Sequence, residues 1–317
     1  MGSPAREKTL FVTGASGFIG RNIVTQALNA GWHVQAFLRK YNSALYGDID
    51  GALKQNLTVS DGYSLSGQFP LIDDLSNTPP DAIVHCAASG VFMGGQDDTQ
   101  YDFLDVGALH ELLAALQALQ KRTPLIIFGS ALIYGHEGAP HKETDIAAPQ
   151  SLYGLNKTLC SNVARYYRNC VDACVTEFRL FNIYGTGDRP PRLIPACIEA
   201  ALDHAPVNLT AGTQKRDFVH IDDVVLAVLA AADKAIPADI YNMATGIGTA
   251  ISDVAAQVVD LTNSDSPVKT GTLPPRANEY AILTGDNSRL AHYGLAPKMA
   301  LSEGLLETIT ETRKARS

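Results

Sequence analysis

The stretch Thr9-Leu-Phe-Val-Thr13-Gly14-Ala-Ser16-Gly17-Phe18-Ile19-Gly20 decides the fold. A short β-favouring run passes through three regularly spaced glycines into a helical pattern over Phe18–Ala30. There Ile19, Ile23, Val24, Ala27 and Leu28 recur on one face. Gly14 permits a tight turn, Gly17 lets the backbone approach a pyrophosphate, and Gly20 lets the helix pack close to the strand. The N–H groups that open the helix then face the anion. The same spacing also suits a plain tight turn. A strand before it, a helix after it and a second strand at His33–Leu38 favour a dinucleotide cradle, made by Gly14, Ser16, Gly17, Phe18, Ile19 and Gly20.

Outward from this turn the rhythm repeats. Strands are expected at Leu57–Ser60, Asp81–Cys86, Pro124–Phe128 and Cys174–Leu180, with an apolar-striped helix at Leu104–Gln120. Continuous apolar strands alternating with helices imply a parallel sheet covered on both faces, a doubly wound α/β (Rossmann) fold. After Tyr184 the rhythm breaks into shorter, Pro- and Gly-punctuated pieces. A helix at Asp222–Lys234 and a strand at Asp239–Met243 still fit the main sheet, while helices near Ser252–Leu261 and Ser302–Thr312 do not. The expected division is a dinucleotide-binding domain of residues 1–184 and 214–245, with a smaller C-terminal substrate-binding lobe of residues 185–213 and 246–317.

The 317 residues carry 25 Lys+Arg against 33 Asp+Glu, a net charge of −8. That balance argues against a nucleic-acid or anionic-membrane binder. No apolar run reaches the ~18–20 residues of a membrane span, and Met1–Lys8 has no apolar signal core. Five sparse cysteines without metal-ligand spacing read as reduced thiols of a cytoplasmic protein. No metal site is expected: His136, Glu137, His141 and Glu143 are irregularly spaced around Pro140 and read as a solvated loop.

The second strand decides which dinucleotide. An NAD site ends that strand with a carboxylate on the ribose 2′-OH. Here the place holds Leu38, followed by Arg39 and Lys40. A guanidinium suits a 2′-phosphate, so NADP(H) is preferred over NAD(H), which stays possible.

Tyr153-Gly-Leu-Asn-Lys157 sets a phenol and an ammonium one helical turn apart. A free tyrosine, pKa about 10, trades protons poorly near neutrality, and a close cation lowers that value. The pair then suits general acid/base work on a carbonyl or alcohol; the bland reading is a surface helix turn.

Taken together, Thr13 with the Gly14-to-Gly17 spacing, Ser130 after the fifth strand and Tyr153 with Lys157 resemble the short-chain dehydrogenase/reductase superfamily. The resemblance implies Ser130, Tyr153 and Lys157 as the catalytic set. It adds Asp61 as the residue reaching the adenine amino group, although Asp61-Gly62 equally suits a turn, and Ala87 as a further cofactor contact. Tyr134-Gly135, Phe181-Asn182-Ile-Tyr184-Gly185 and Gln214-Lys-Arg216-Asp217-Phe218-Val-His-Ile-Asp222-Asp223-Val224 resemble the extended, epimerase/dehydratase branch acting on nucleotide sugars. By that resemblance Asn182 touches the nucleotide diphosphate, Arg216 and Arg276 (with Glu279) clamp it, and Leu193 packs on the base. An Arg216–Asp217 pair is the alternative for that motif.

Departures from the pattern narrow the chemistry. Ala131-Leu132 stand where dehydrating members carry an acid pair, so simple 4,6-dehydration is not expected. Asn156 and Ser161 replace a usual Ser and Glu beside Lys157, and Asp105 replaces the usual Asn. His85 and Cys86, beside the cofactor site, are expected to be structural.

The expectation is an NADPH-dependent reductase of a keto-sugar nucleotide, of the 4-keto-6-deoxyhexose type. A redox-neutral epimerase with tightly held NAD(P) is the alternative. A non-catalytic NADP-binding regulator is the third, opposed by the intact catalytic set. The resemblance further implies a homodimer through helices Leu104–Gln120 and Tyr153–Arg168, where Leu109, Leu112, Leu113, Leu116 and Leu119 serve core, interface or both.

Overall fold

A computed structural model describes residues 8–40, 43–47, 49–65, 70–89, 103–135, 139–275 and 279–316. In chain order the elements begin β1 (Thr9–Thr13), α1 (Phe18–Asn29), β2 (His33–Phe37), α2 (Gly51–Lys54), β3 (Leu57–Ser60), α3 (Pro70–Asn77), β4 (Ala82–His85) and α4 (Leu104–Ala118). Then come β5 (Leu125–Ser130), α5 (Leu152–Cys170), β6 (Val175–Leu180), β7 (Asn182–Tyr184), α6 (Leu193–Leu202), β8 (Val207–Asn208), β9 (Lys215–His220) and α7 (Ile221–Ala232). The chain closes with β10 (Ile240–Met243), β11 (Gly248–Ala250), α8 (Ile251–Thr262), β12 (Val268–Lys269), β13 (Ile282–Leu283), α9 (Ser288–His292) and α10 (Leu301–Arg316).

Seven strands form one sheet in the order β10-β6-β5-β4-β1-β2-β3. β1 pairs parallel with both β2 and β4, so chain order reverses beside β1, the place where open α/β sheets bind ligands. The doubly wound expectation holds. β1 and β4 are buried almost throughout, which is why they read as unbroken apolar runs.

The chain divides into two compact units. The first comprises residues 1–129, 155–178 and 225–240. Its core gathers Phe11, Phe37, Ile83 and Val175 with the leucines of α4. Leu109, Leu112, Leu113 and Leu116 are all 4% exposed or less, so these candidates for an interface belong to the core, and Leu119 packs partly buried against it. Each such burial is worth about 1.5–3 kcal/mol.

The second unit comprises residues 130–154, 179–224 and 241–317. Its sheet runs β11-β9-β13, with β7 also pairing β9. Thr249 of β11 and Leu283 of β13 lie opposite Arg216 of β9. One core joins α6, α8 and α10 through Ile198, Ala255, Val258, Leu305 and Ile309, and a smaller one gathers Ile133, Tyr134, Phe181 and Tyr280. Among the described residues no helix is long and apolar enough to cross a membrane. All five cysteines are free thiols.

Candidate active site

The Gly-rich turn of the first unit is built for an anion. Gly14 sits at φ +61, and a Cβ there would lie 2.6 Å from the Ala87 nitrogen, so only glycine fits. The Gly17 N–H donates to the Gly14 carbonyl at 2.9 Å, and Tyr46 donates to the Ala15 carbonyl at 2.9 Å, fixing the turn from outside. α1 opens at Gly17 with no side-chain cap and no acidic residue in its first turn. Ser16 and Gly17 are exposed, Phe18 and Ile19 partly so, and Gly20 is buried. Uncapped, exposed amides at a helix start fit a pyrophosphate.

The remaining cofactor candidates surround this turn in sequence order. Leu38 is fully buried, whereas Arg39 and Lys40 are exposed just past β2. Asp61 is exposed after β3, and its carboxylate accepts from the Gly62 N–H at 2.9 Å, the turn role its sequence allowed. Ala87, past β4, donates its N–H to Thr13 Oγ1 at 3.2 Å. Thr13 Oγ1 in turn lies 2.9 Å from His85 Nδ1. Burial, then the Lys157 charge, pull the His85 imidazole down to about 4, against the opposing Asp105, so it is neutral near pH 7. His85 therefore acts as a buried structural base.

Lys157 and Asp105 meet in the same unit. Asp105 lies in the first turn of α4, 3% exposed, where the helix dipole favours a carboxylate. Its Oδ1 accepts from the Ser89 N–H at 2.7 Å and its Oδ2 from the Asn156 amide at 3.0 Å. Lys157 Nζ stands 3.7 Å from Oδ2. His85, Cys86, Ala87, Asp105, Lys157 and Cys160 are among the residues lining a cavity of about 30 Å³.

The second unit carries the other candidates. Ser130 ends β5, 7% exposed, and its Oγ accepts from the Leu132 N–H at 3.2 Å, capping the short turn Ala131–Ile133. Tyr153 lies in the first turn of α5, a turn capped by Ser151 Oγ accepting from the Gly154 N–H at 3.1 Å. A Cβ on Gly154 would collide with the Leu132 carbonyl, so this glycine presses the start of α5 against the turn that Ser130 caps. Sequence reading passed over Gly154, although it directly follows the tyrosine. Tyr153 and Lys157 lie one turn apart on α5.

Arg216, on β9, donates to the Tyr280 carbonyl at 2.7 Å and pairs with Glu279 at 3.5 Å. It does not pair with Asp217, whose side chain leaves the strand on the opposite face and is fully buried. Asp217 instead accepts from Thr245 N and Oγ1, Gly246 N and Gly285 N. Burial raises its pKa, and those hydrogen bonds pull it back. Asn182, on β7, donates to the Asp217 carbonyl at 3.4 Å, and Leu193 opens α6 half-buried. Arg276 lies outside the described residues.

One reading is overturned. His141 and Glu143 do not belong to a solvated loop: they are 1% and 9% exposed. His141 stacks on Tyr134 at 4.6 Å, and Glu143 accepts from the Asn242 N–H at 2.7 Å. Arg179 donates to the Tyr134 hydroxyl at 2.9 Å and completes this buried polar network. His136 and Glu137 fall outside the described residues. Among the described residues His220, Asp222 and exposed Glu307 place ligand-type atoms within 4.8 Å of one another, with His220 Nδ1 3.6 Å from the Asp222 carboxylate.

Known proteins resemble this chain over most of its length. CDP-abequose synthase of Salmonella typhimurium is 25% identical over 310 residues, covering 95% of this chain and 97% of that protein. GDP-6-deoxy-D-talose 4-dehydrogenase of Aggregatibacter actinomycetemcomitans is 25% identical over 283 residues, covering 89% of each. The crystal structure of UDP-glucose 4-epimerase from Thermotoga maritima with UDP-glucose superposes with a TM-score of 0.85 at 23% identity, covering 98% of this chain and 100% of that one. The NAD dependent epimerase/dehydratase family matches residues 10–244, and this chain, an enzyme of the extended short-chain dehydrogenase/reductase type, belongs to it.

Proposed function

We propose that the protein is an NADPH-dependent reductase of a keto-sugar nucleotide, of the 4-keto-6-deoxyhexose type. The observation that carries the reading is buried Leu38 followed by exposed Arg39, with Ser130, Tyr153 and Lys157 all present. A site without an acceptor for the ribose 2′-OH, and with a guanidinium beside it, suits the phosphorylated and exchangeable dinucleotide. Gly14–Gly20, Arg39, Asp61 and Ala87 would hold that dinucleotide, which supplies the hydride. Tyr153 gives its phenolic proton to the carbonyl oxygen as the sugar carbon is reduced. Ser130, whose Oγ accepts from the Leu132 N–H, has its hydroxyl proton to donate to the same oxygen. Lys157 positions the ribose and eases the loss of the tyrosine proton. Ala131 and Leu132 cannot move protons, which supports reduction over dehydration.

Asn182, Leu193, Arg216 and Arg276 would bind the nucleotide of the substrate. Arg216→Ala should raise the dissociation constant of a nucleoside diphosphate roughly ten- to a hundred-fold, since a charge-assisted hydrogen bond is worth about 1.5–3 kcal/mol. Asp217 has its own donors, so the substitution leaves it satisfied. Calorimetry with UDP, GDP, CDP and dTDP, with and without NADPH, tests this. Binding of none of the four to the wild type sinks the nucleotide-sugar reading.

The epimerase relatives support a second reading, in which the same residues oxidise and re-reduce the sugar around a retained dinucleotide. An absorbance scan of the purified protein separates the two: retained nicotinamide favours the epimerase. We also propose a homodimer through α5, on which Leu155, Leu159 and Tyr166 are 37%, 37% and 59% exposed.

A further inference from the structure

We propose that Asp105 is a positioning residue that holds the Lys157 ammonium and offsets its charge, keeping the proton on Tyr153 to higher pH. The inference deepens the reading of Tyr153 as the proton donor and rests on it. It begins from a departure in this chain: a carboxylate stands where the family resemblance places a neutral asparagine.

The carboxylate is built in. It is 3% exposed, each oxygen accepts a hydrogen bond, from Ser89 N–H and from the Asn156 amide, and Lys157 Nζ lies 3.7 Å away. The side chains of Lys157 and Asp105 are 10% and 4% exposed, so water screens the pair weakly. Among the described residues the titratable neighbours are few. His85 from β4 is neutral above about pH 4. Burial pushes Cys86, beside it, and Tyr63, after β3, well up, and Cys160 of α5 up to about 11. Near neutrality these four carry no charge. Glu177 of β6, which accepts from Ser161 at 2.7 Å, is the further carboxylate and acts on Cys160. Within this set Asp105 is the anion that Lys157 meets directly.

A lysine one turn from a phenol stabilises the phenolate. An anion behind that lysine cancels part of the effect, so Tyr153 stays protonated and ready to donate. An asparagine would keep the hydrogen bonds, after rotation of the Asn156 amide, and remove the cancellation. Removing a unit charge 3.7 Å behind that lysine, at an effective dielectric of about 20, should lower the midpoint of Tyr153 by about one pH unit.

The test reads the phenol itself. Ultraviolet tyrosinate absorbance is titrated in the protein as purified, and the Tyr153→Phe background is subtracted to isolate the midpoint of Tyr153. Asp105→Asn is expected to lower it by about one unit, and Asp105→Glu, which keeps the charge, to leave it within about 0.3 units. Asp105→Ser, a second neutral variant, must shift it the same way and replaces Asp105→Asn should that variant not fold. An unchanged midpoint in the neutral variants overturns the proposal. So does an equal shift in the Glu variant, since that would make packing rather than charge the cause. No substrate enters the measurement, so a failure to find turnover on any nucleotide sugar counts against the proposed function and not against this result.

Discussion

Acidifying this protein should cost it more stability than its surface carboxylates explain, and His85 sets the excess. Its imidazole is 8% exposed, with Nδ1 on Thr13 and Nε2 without a hydrogen-bond partner among the described residues. Folding lowers its pKa from 6.5 to about 4, first by burial and then by Lys157. A histidine lowered in the native state binds more protons when unfolded. Stability therefore falls as pH drops through the unfolded value and levels off below the folded one. The whole change is roughly 3 kcal/mol at 1.36 kcal/mol per unit, and roughly 2 kcal/mol of it has been lost by about pH 4.5. Urea denaturation of wild type and His85→Asn at a series of pH values isolates this part, because the carboxylates are common to both. His85→Asn should start less stable at neutral pH and lose about 2 kcal/mol less on acidification to about pH 4.5. Parallel stability curves for the two proteins would refute the neutral buried imidazole.

Arg39→Ala should erase most of the preference for NADPH over NADH, and equal affinities for the two in the wild type would sink that assignment by simple titration. Gly154→Ala drives a methyl into the Leu132 carbonyl and should cost about 1–3 kcal/mol, with an unchanged urea midpoint counting against the close approach. Leu159→Glu on the exposed apolar stripe of α5 should convert a dimer to a monomer by light scattering, and a wild-type monomer at micromolar protein removes the premise.

The parallel half of the fold was legible because its strands are buried on both faces and its helices carry long apolar stripes; β1, α1 and β3 begin where the pattern puts them. The second unit was not. α6 hides behind Pro195, which reads as a break yet sits in the first helical turn, where a missing N–H costs nothing. β11 and β13 span three and two residues, too short for any alternation to register. At the candidate site Tyr153 and Lys157 stood out by spacing, and Ser130 through the family resemblance. The Asp105–Lys157 pair, 52 residues apart in sequence, did not, because only folding brings α4 and α5 together. His141 and Glu143 misled for a related reason: polarity looks like solvent exposure until the partners Tyr134, Arg179 and Asn242 are in place.

Asp217 has a consequence for how such an enzyme can be re-tailored. Three of the four donors it collects are main-chain N–H groups, at residues 245, 246 and 285, so it dictates the path of the backbone there and leaves most side chains free. Ile247, beside Gly246, and Ile282, three residues before Gly285, project 67% and 45% of their surface outward. A library varying these two positions can therefore explore new surface chemistry while the strands stay where the buried carboxylate ties them. The anchor and the variable positions are chemically independent, which lets the surface drift without the fold drifting with it.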